Sequence, residues 1–340
     1  MATQAPDRTQ DVSERARAIY RDALVWDMTV PYGMQHATDG ETLPRFRRAG
    51  VGVVSLTIGG DKTFGTAPAL ANIARVYEVV ARHPRDYRLV RTIDDVEAAR
   101  REGQLAITLN FQGTNALAND LGMIEVFYRL GVRHMLMAYN QKNLVGDGCA
   151  ERTDCGLSRF GLSLVREMNR VGMLVDGTHT GYRTSMEAME ASTSPCIFSH
   201  CNAYAVFPHY RNIRDDQIRK CAQTGGVIGV NGLGEFLDDM EARSESMFRH
   251  LDHIVGLVGA KHAGIGLDYV KDVAGFWKYV DENPDAWPDN DGKPNRHTAF
   301  VQPEQLLDLA ELMLRKNYAE EDVRGILGGN FHRVCRQVWK

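Results

Sequence analysis

One feature constrains this chain more than any other: short apolar runs recur along it, with amphipathic helical stretches between them. The first run, "ALVW" (23–26), leads into Asp27 and Thr29 before Pro31 and Gly33 break it. Seven more follow: "VGVVSLT" (51–57), "LAITLNF" (105–111), "VRHMLMAYN" (132–140), "GMLVDGTH" (172–179), "PCIFSH" (195–200), "GGVIGVNG" (225–232) and "AGIGLD" (263–268). Their β-branched and aromatic residues favour the pleated backbone. The intervening "LSLVREMNRVG" (162–172) gathers Leu164, Val165 and Met168 on one helical face and stops at Gly172, and "DDQIRKCAQTGG" (215–226) also ends on glycine. Apolar strands separated by helices imply parallel pairing covered on both faces. Eight such units predict an α/β fold, a (β/α)8 TIM barrel in a single domain. An open, doubly wound sheet is the alternative. With 340 residues, 44% of them hydrophobic, the chain can bury a core of that size.

The flanks predict less order. Residues 1–10, "MATQAPDRTQ", are polar, have no apolar core for a signal peptide, and are expected to form a flexible tail before a barrel spanning 11–340. A helix is expected from Asp11, with Asp11 and Glu14 as a capping-box variant and Ala16, Ile19 and Tyr20 as its apolar stripe. Segment 276–300 breaks the rhythm with Pro284, Pro288 and Pro294, and is expected to be a long loop serving as a lid or dimer contact. No run is long and apolar enough to span a membrane. A net charge of −4 argues against nucleic-acid binding. The six cysteines are too scattered for a disulfide framework and point to reduced thiols in a cytoplasmic protein. Cys149 and Cys155 lack a zinc spacing, and "GGVIGVNGLG" lacks the G-x-G-x-x-G of a nucleotide loop.

A barrel of this kind carries its site at the C-terminal ends of the strands. Those ends present Asp27 and Thr29, Thr57, Gln112, Tyr139 and Asn140, His179, His200, Asn231, and Asp268. Neighbouring parallel strands lie about 4.8 Å apart, so His179 and His200 can reach one ion. Zinc commonly takes two imidazoles, a carboxylate and a water, which makes Asp268 either the third ligand or the acceptor of the water's proton. Each histidine could equally be a hydrogen-bonded structural residue. Arg211, in "HYRNIRDDQ", either clamps a substrate carboxylate or pairs with Asp215 or Asp216. His250 and His253 flank a helix and are expected to face solvent or a neighbouring element, and His134 to point away from its strand's end.

At this point the chain resembles the membrane (renal) dipeptidase family, zinc dipeptidases of the amidohydrolase superfamily. The motifs that carry the likeness are "DLGMIEVFYRLGVRHM", "GLSRFGLSLVREMNRVGMLVDGTHTG", "FSHCNA", "HYRNIRDDQ", "GGVIGVN", "LDHIVGLVGAKHAGIGLD" and "ILGGNFHRV", spread from about residue 17 to 338. The resemblance implies the (β/α)8 barrel, a homodimer and a site for two zinc ions. It makes His179 and His200 metal ligands, Asp268 the strand-eight aspartate and Arg211 the arginine for the substrate carboxylate. The family's strand-one His-x-Asp pair aligns with Thr29 and Pro31, its bridging glutamate with Gln112, and its strand-four histidine with Tyr139. A neutral amide is a weak ligand, so this site is expected to hold one zinc or other divalent ion at most, or none. Asp27 is the nearest acid that could substitute as a ligand.

These residues predict a metal-dependent hydrolase that cuts an amide or related C–N bond of a small, carboxylate-bearing substrate. Gln112, Tyr139 and Asn140 are expected to orient the reacting carbonyl. The alternatives are a metal-free lyase or isomerase and a non-catalytic small-molecule-binding barrel.

Overall fold

The computed structural model describes residues 12–61, 65–289 and 296–340; the expected tail at 1–10 and the cap at Asp11 lie outside them. The first helix runs Glu14–Asp22, and its cap is Ser13, whose hydroxyl accepts from the Ala16 N–H. That satisfies one of the donors a helix start leaves open.

Nine strands follow in chain order: β1 (Trp26–Val30), β2 (Val53–Gly60), β3 (Tyr87–Leu89), β4 (Leu105–Gln112), β5 (Val132–Leu136), β6 (Leu174–Asp176), β7 (Ile197–Phe198), β8 (Val227–Asn231) and β9 (Ala263–Gly266). All pair in parallel in the order β2-β1-β9-β8-β7-β6-β5-β4-β3, and β2 also pairs with β4. That last pairing closes eight strands into the TIM barrel. β3 is an extra rung. It pairs with the first half of β4 (Tyr87 with Leu105), and β5 pairs with the second half (Leu109 with Val132). Three residues are too short to carry a periodic signal, so nothing in the sequence marked it.

Alternation along the strands sorts the side chains. On β2, Val54, Leu56 and Ile58 join the apolar layer against the helices. Ser55 and Thr57 instead join a polar layer. There the Asn110 amide donates to Ser55 Oγ (2.9 Å), the Thr57 hydroxyl donates to Asn110 Oδ1 (2.9 Å), and His134 bridges Ser55 (3.0 Å) and Asp176 (3.0 Å). Burial pushes the Asp176 carboxyl up, but the hydrogen bond and charge of His134 outweigh it and hold the group at about 2. His134 therefore belongs to the interior, below the strand ends. At the opposite end, Phe331 and Val334 of helix Asn330–Val338 pack with Trp26. Gly328 lets the chain pass there, since a Cβ on it would lie 2.1 Å from the Leu24 carbonyl oxygen.

Of the two surroundings expected for His250, on helix Ser244–Val258, the structure has the neighbouring element: it is fully buried and its Nδ1 accepts from the Ala203 N–H (3.1 Å). One expectation needs correcting. Segment 276–300 is not loop throughout, because helix Val273–Glu282 fills its start and buries Phe276, Trp277 and Val280 against Trp287 and Phe300. Among the described residues no helix is long and apolar enough to cross a membrane, and all six cysteines are free thiols.

Candidate active site

Three of the strand-end side chains sit on unusual backbone. Asn140, His179 and Asp268 have φ of 57°, 60° and 57°, the left-handed region that non-glycine residues seldom occupy. Such conformations cluster at functional sites, where surrounding contacts must hold them. β7 is drawn in close to its neighbours. A Cβ on Gly229 or Gly266 would lie 2.1 or 1.9 Å from the Ser199 carbonyl oxygen, so glycines on β8 and β9 make the room that places His200 centrally.

His179 and His200 meet there, with their Nε2 atoms 3.1 Å apart. Both are buried. The proton of His179 is fixed by its neighbours. The Asn140 Nδ2 donates to the Ala286 carbonyl (2.9 Å), which turns the Asn140 Oδ1 toward His179 Nδ1 (2.6 Å). The Nδ1–H therefore donates to Asn140, and Nε2 carries the lone pair. Arg211 Nη2 donates to that lone pair (3.2 Å). His200 has more freedom. Its Nδ1 lies 3.0 Å from Thr29 Oγ1, whose proton goes to the Met28 carbonyl (2.7 Å), and 2.8 Å from Ser199 Oγ, which can give or accept a proton. With its proton on Nε2, His200 donates to His179; with it on Nδ1, two lone pairs face one another. Burial, then the charges of Arg211 and His200, hold His179 well below the ordinary histidine range, and burial takes His200 down to about 4.

Tyr139 stacks on His179, with ring centroids 4.0 Å apart, and Trp287 sets its edge against both rings. Burial keeps the Tyr139 hydroxyl protonated, well above the ordinary tyrosine range. Asp268 is half-buried at the end of β9; its N–H donates to the Thr29 carbonyl (3.1 Å) and its Oδ2 accepts from Asn231 Nδ2 (3.1 Å). Arg211 has not paired with Asp215 or Asp216. Its guanidinium is buried, reaches His179 and the Cys201 sulfur (3.9 Å), and leaves its Nε–H without a partner. A pocket of about 490 Å³ opens beside Arg211, His179 and Tyr210.

Other expected residues stand differently. Both ends of the Asn140 amide are engaged, so it orients His179 and is not free to bind a carbonyl. Gln112 is buried at the end of β4 with its Nε2 unpartnered. Asp27 is not turned in as a ligand. Its Oδ1 accepts from the N–H groups of Leu267 (2.9 Å) and Thr29 (3.2 Å), and burial raises its carboxyl to about 8. Sequence reasoning missed Trp287, whose approach depends on the conformation of an irregular segment, and Ser199, whose role needed the inward position of β7.

Two imidazole nitrogens on one tetrahedral zinc lie about 3.3 Å apart, given bonds of about 2.0–2.1 Å. The observed 3.1 Å spacing fits one ion. Two bridged ions do not fit: Thr29, whose hydroxyl is no strong metal ligand, sits against His200 Nδ1, and no group of three or more His, Cys, Asp or Glu among the described residues could hold a metal.

A sequence model of the membrane dipeptidase family (peptidase family M19) matches residues 14–340. The chain belongs to this family. An uncharacterized dipeptidase of Schizosaccharomyces pombe is 30% identical over 269 residues, covering 76% of this chain and 60% of that protein. Dipeptidase tcpJ of Claviceps purpurea is 30% identical over 249 residues, covering 72% of this chain and 54% of that protein. The matches thus span little more than half the length of these curated relatives. Among solved structures, an amidohydrolase from Pseudomonas aeruginosa superposes with a TM-score of 0.86 at 28% identity, covering 95% of this chain and 99% of that one. A metallopeptidase from Rhodobacter sphaeroides, bound to a phosphinate mimic of the dipeptide L-Ala-D-Ala, shares the fold with a TM-score of 0.78 at 20% identity, covering 94% and 100%. Membership accounts for the barrel.

Proposed function

We propose that this protein hydrolyses an amide or related C–N bond in a small substrate bearing a carboxylate, with at most one metal ion. The observation that carries this is Arg211: a guanidinium only 2% exposed, with an unpartnered Nε–H, beside a pocket of about 490 Å³. A buried cation without an anionic partner is costly, and a substrate carboxylate would supply that partner through paired hydrogen bonds.

His179 and His200 would hold the single ion, zinc or another divalent metal, which when bound supplies a Lewis acid and a more acidic water. The chain's own groups do the rest. Asn140 keeps the His179 lone pair directed at His200 and Arg211. Asp268, steadied by Asn231, accepts the proton of the attacking water. The Tyr139 hydroxyl donates to the oxyanion that forms on the carbonyl, and the Gln112 amide supplies a second donor. Trp287 lies edge-on to His179 and limits bulk water there. The six free thiols support a reducing, cytoplasmic setting, and the family supports a homodimer.

Amine release from a panel of dipeptides and N-acyl amino acids, with their carboxyl-free amides as controls, tests this. Carboxylate-bearing substrates should turn over, and Arg211→Met should lower kcat/KM by about 30-fold or more, as loss of a buried charge partner typically does. Absence of turnover across the panel with and without added divalent metal would overturn it.

A further inference from the structure

The pocket beside Arg211 has a second cation at its rim. Arg214 is exposed, and its guanidinium lies over the rings of Tyr182 (5.3 Å) and Tyr204 (5.6 Å). All three residues line the same pocket as Arg211, and among the described residues no Asp or Glu does. Of the acids next in sequence, Asp215 pairs with His253 Nε2 (2.8 Å), and Asp216 accepts from the hydroxyl of the pocket wall Tyr182 (2.6 Å), a neutral contact that leaves Arg214 without it as an ion-pair partner. Arg214 has no ion-pair partner among the described residues. Two aromatic faces hold its planar group in place and leave its edge donors to a ligand.

We propose that this pocket selects a dianionic small molecule, with one carboxylate on Arg211 and a second anionic group on Arg214. This rests on the hydrolase assignment for the bond that is cut, while the two-anion preference stands on the pocket itself. A cleft lined by two guanidinium groups, with no Asp or Glu among its described lining residues, favours a ligand of double negative charge over one of single charge. Arg214, as a rim residue, sets specificity and takes no part in bond cleavage. Tyr182 and Tyr204 are 36% and 39% exposed, as befits walls that a ligand covers on entry.

Calorimetric binding of glutarate and butyrate to the full chain tests the assignment. These probes share an alkyl carboxylate and differ in the second charge. Wild type should bind glutarate about tenfold more tightly than butyrate, the scale of one charge-assisted contact. Arg214→Gln should erase that preference and leave butyrate affinity unchanged, Arg214→Lys should restore part of it, and Arg211→Gln should weaken both probes. Equal binding of the two by wild type, or a preference that survives Arg214→Gln, would overturn the proposal. An Arg214→Gln protein with altered thermal unfolding would be set aside for Arg214→Ala and the lysine variant, read by the same criterion. The amine-release panel separates the two assignments. Turnover without a dicarboxylate preference removes this one alone, and a dicarboxylate preference without turnover removes the hydrolase alone.

Discussion

Replacing Asp27 by Asn should stabilise the protein, and by an amount that grows with pH. Asp27 is fully buried on β1, and burial raises its carboxyl to about 8 from an ordinary value near 3.8. Its Oδ1 accepts two backbone N–H groups, and its Oδ2 has no partner. Asparagine keeps the acceptor and puts an unpartnered N–H₂ where the protonated acid has an unpartnered oxygen, so the hydrogen-bond balance hardly changes. Ionisation is what differs. Because the folded value is raised, the contribution of Asp27 to stability is full below about pH 4 and is lost as pH rises toward 8, since the unfolded carboxyl ionises and the folded one resists. The loss accrues at about 1.4 kcal/mol per pH unit, reaching up to about 4 kcal/mol at pH 7. With an unfolding entropy of about 2.1 cal/mol/K per residue over 340 residues, that corresponds to a Tm rise of about 6 °C for Asp27→Asn at pH 7. Thermal unfolding of both proteins at pH 5, 6, 7 and 8 reads this directly. A Tm difference that is negative, or equal at all four values, would refute the account of Asp27 as a buried, protonated acid.

Asp176 should behave in the opposite sense. Its depressed value of about 2 means its contribution is present above about pH 4 and lost as pH falls toward 2, and Asp176→Asn, which breaks the buried pair with His134, should cost about 3–5 kcal/mol in chemical denaturation at pH 7. Asn140→Gly, which suits the left-handed backbone at this position, should leave the fold intact, free the His179 proton to sit on either nitrogen, and lower kcat/KM by about 10- to 100-fold, the usual scale for a residue that orients a ligand histidine. Nitrogen-15 chemical shifts of the His179 ring should report a single Nδ1–H tautomer in the wild type and a mixture in that variant.

The barrel was legible because eight apolar runs spaced by helical patterns admit few arrangements, and the strand-end rule then placed His179, His200 and Asp268 at one mouth. For Arg211 the sequence left open a clamp for a substrate carboxylate and a pairing with Asp215 or Asp216, and its burial against His179 removes the pairing. Asn140 was singled out for the right place and the wrong task. Its role as the acceptor for His179 depends on the carbonyl of Ala286, nearly 150 residues away. For His250 the sequence left solvent and a neighbouring element open, because a histidine in "RHLDHIVGLVG" lies near both the polar and the apolar face, and tertiary packing chose the buried one. Trp287 could not be placed at all, because an irregular segment has no period to reveal which way it folds.

Metal stoichiometry bears most directly on whether this member of the family has lost its two-ion centre. Protein purified without chelator and equilibrated with zinc, then analysed by inductively coupled plasma mass spectrometry, should carry no more than one ion per chain, and His179→Ala or His200→Ala should abolish it. Thr29→His with Pro31→Asp and Gln112→Glu should raise the count. Two tightly held ions per wild-type chain would contradict the account.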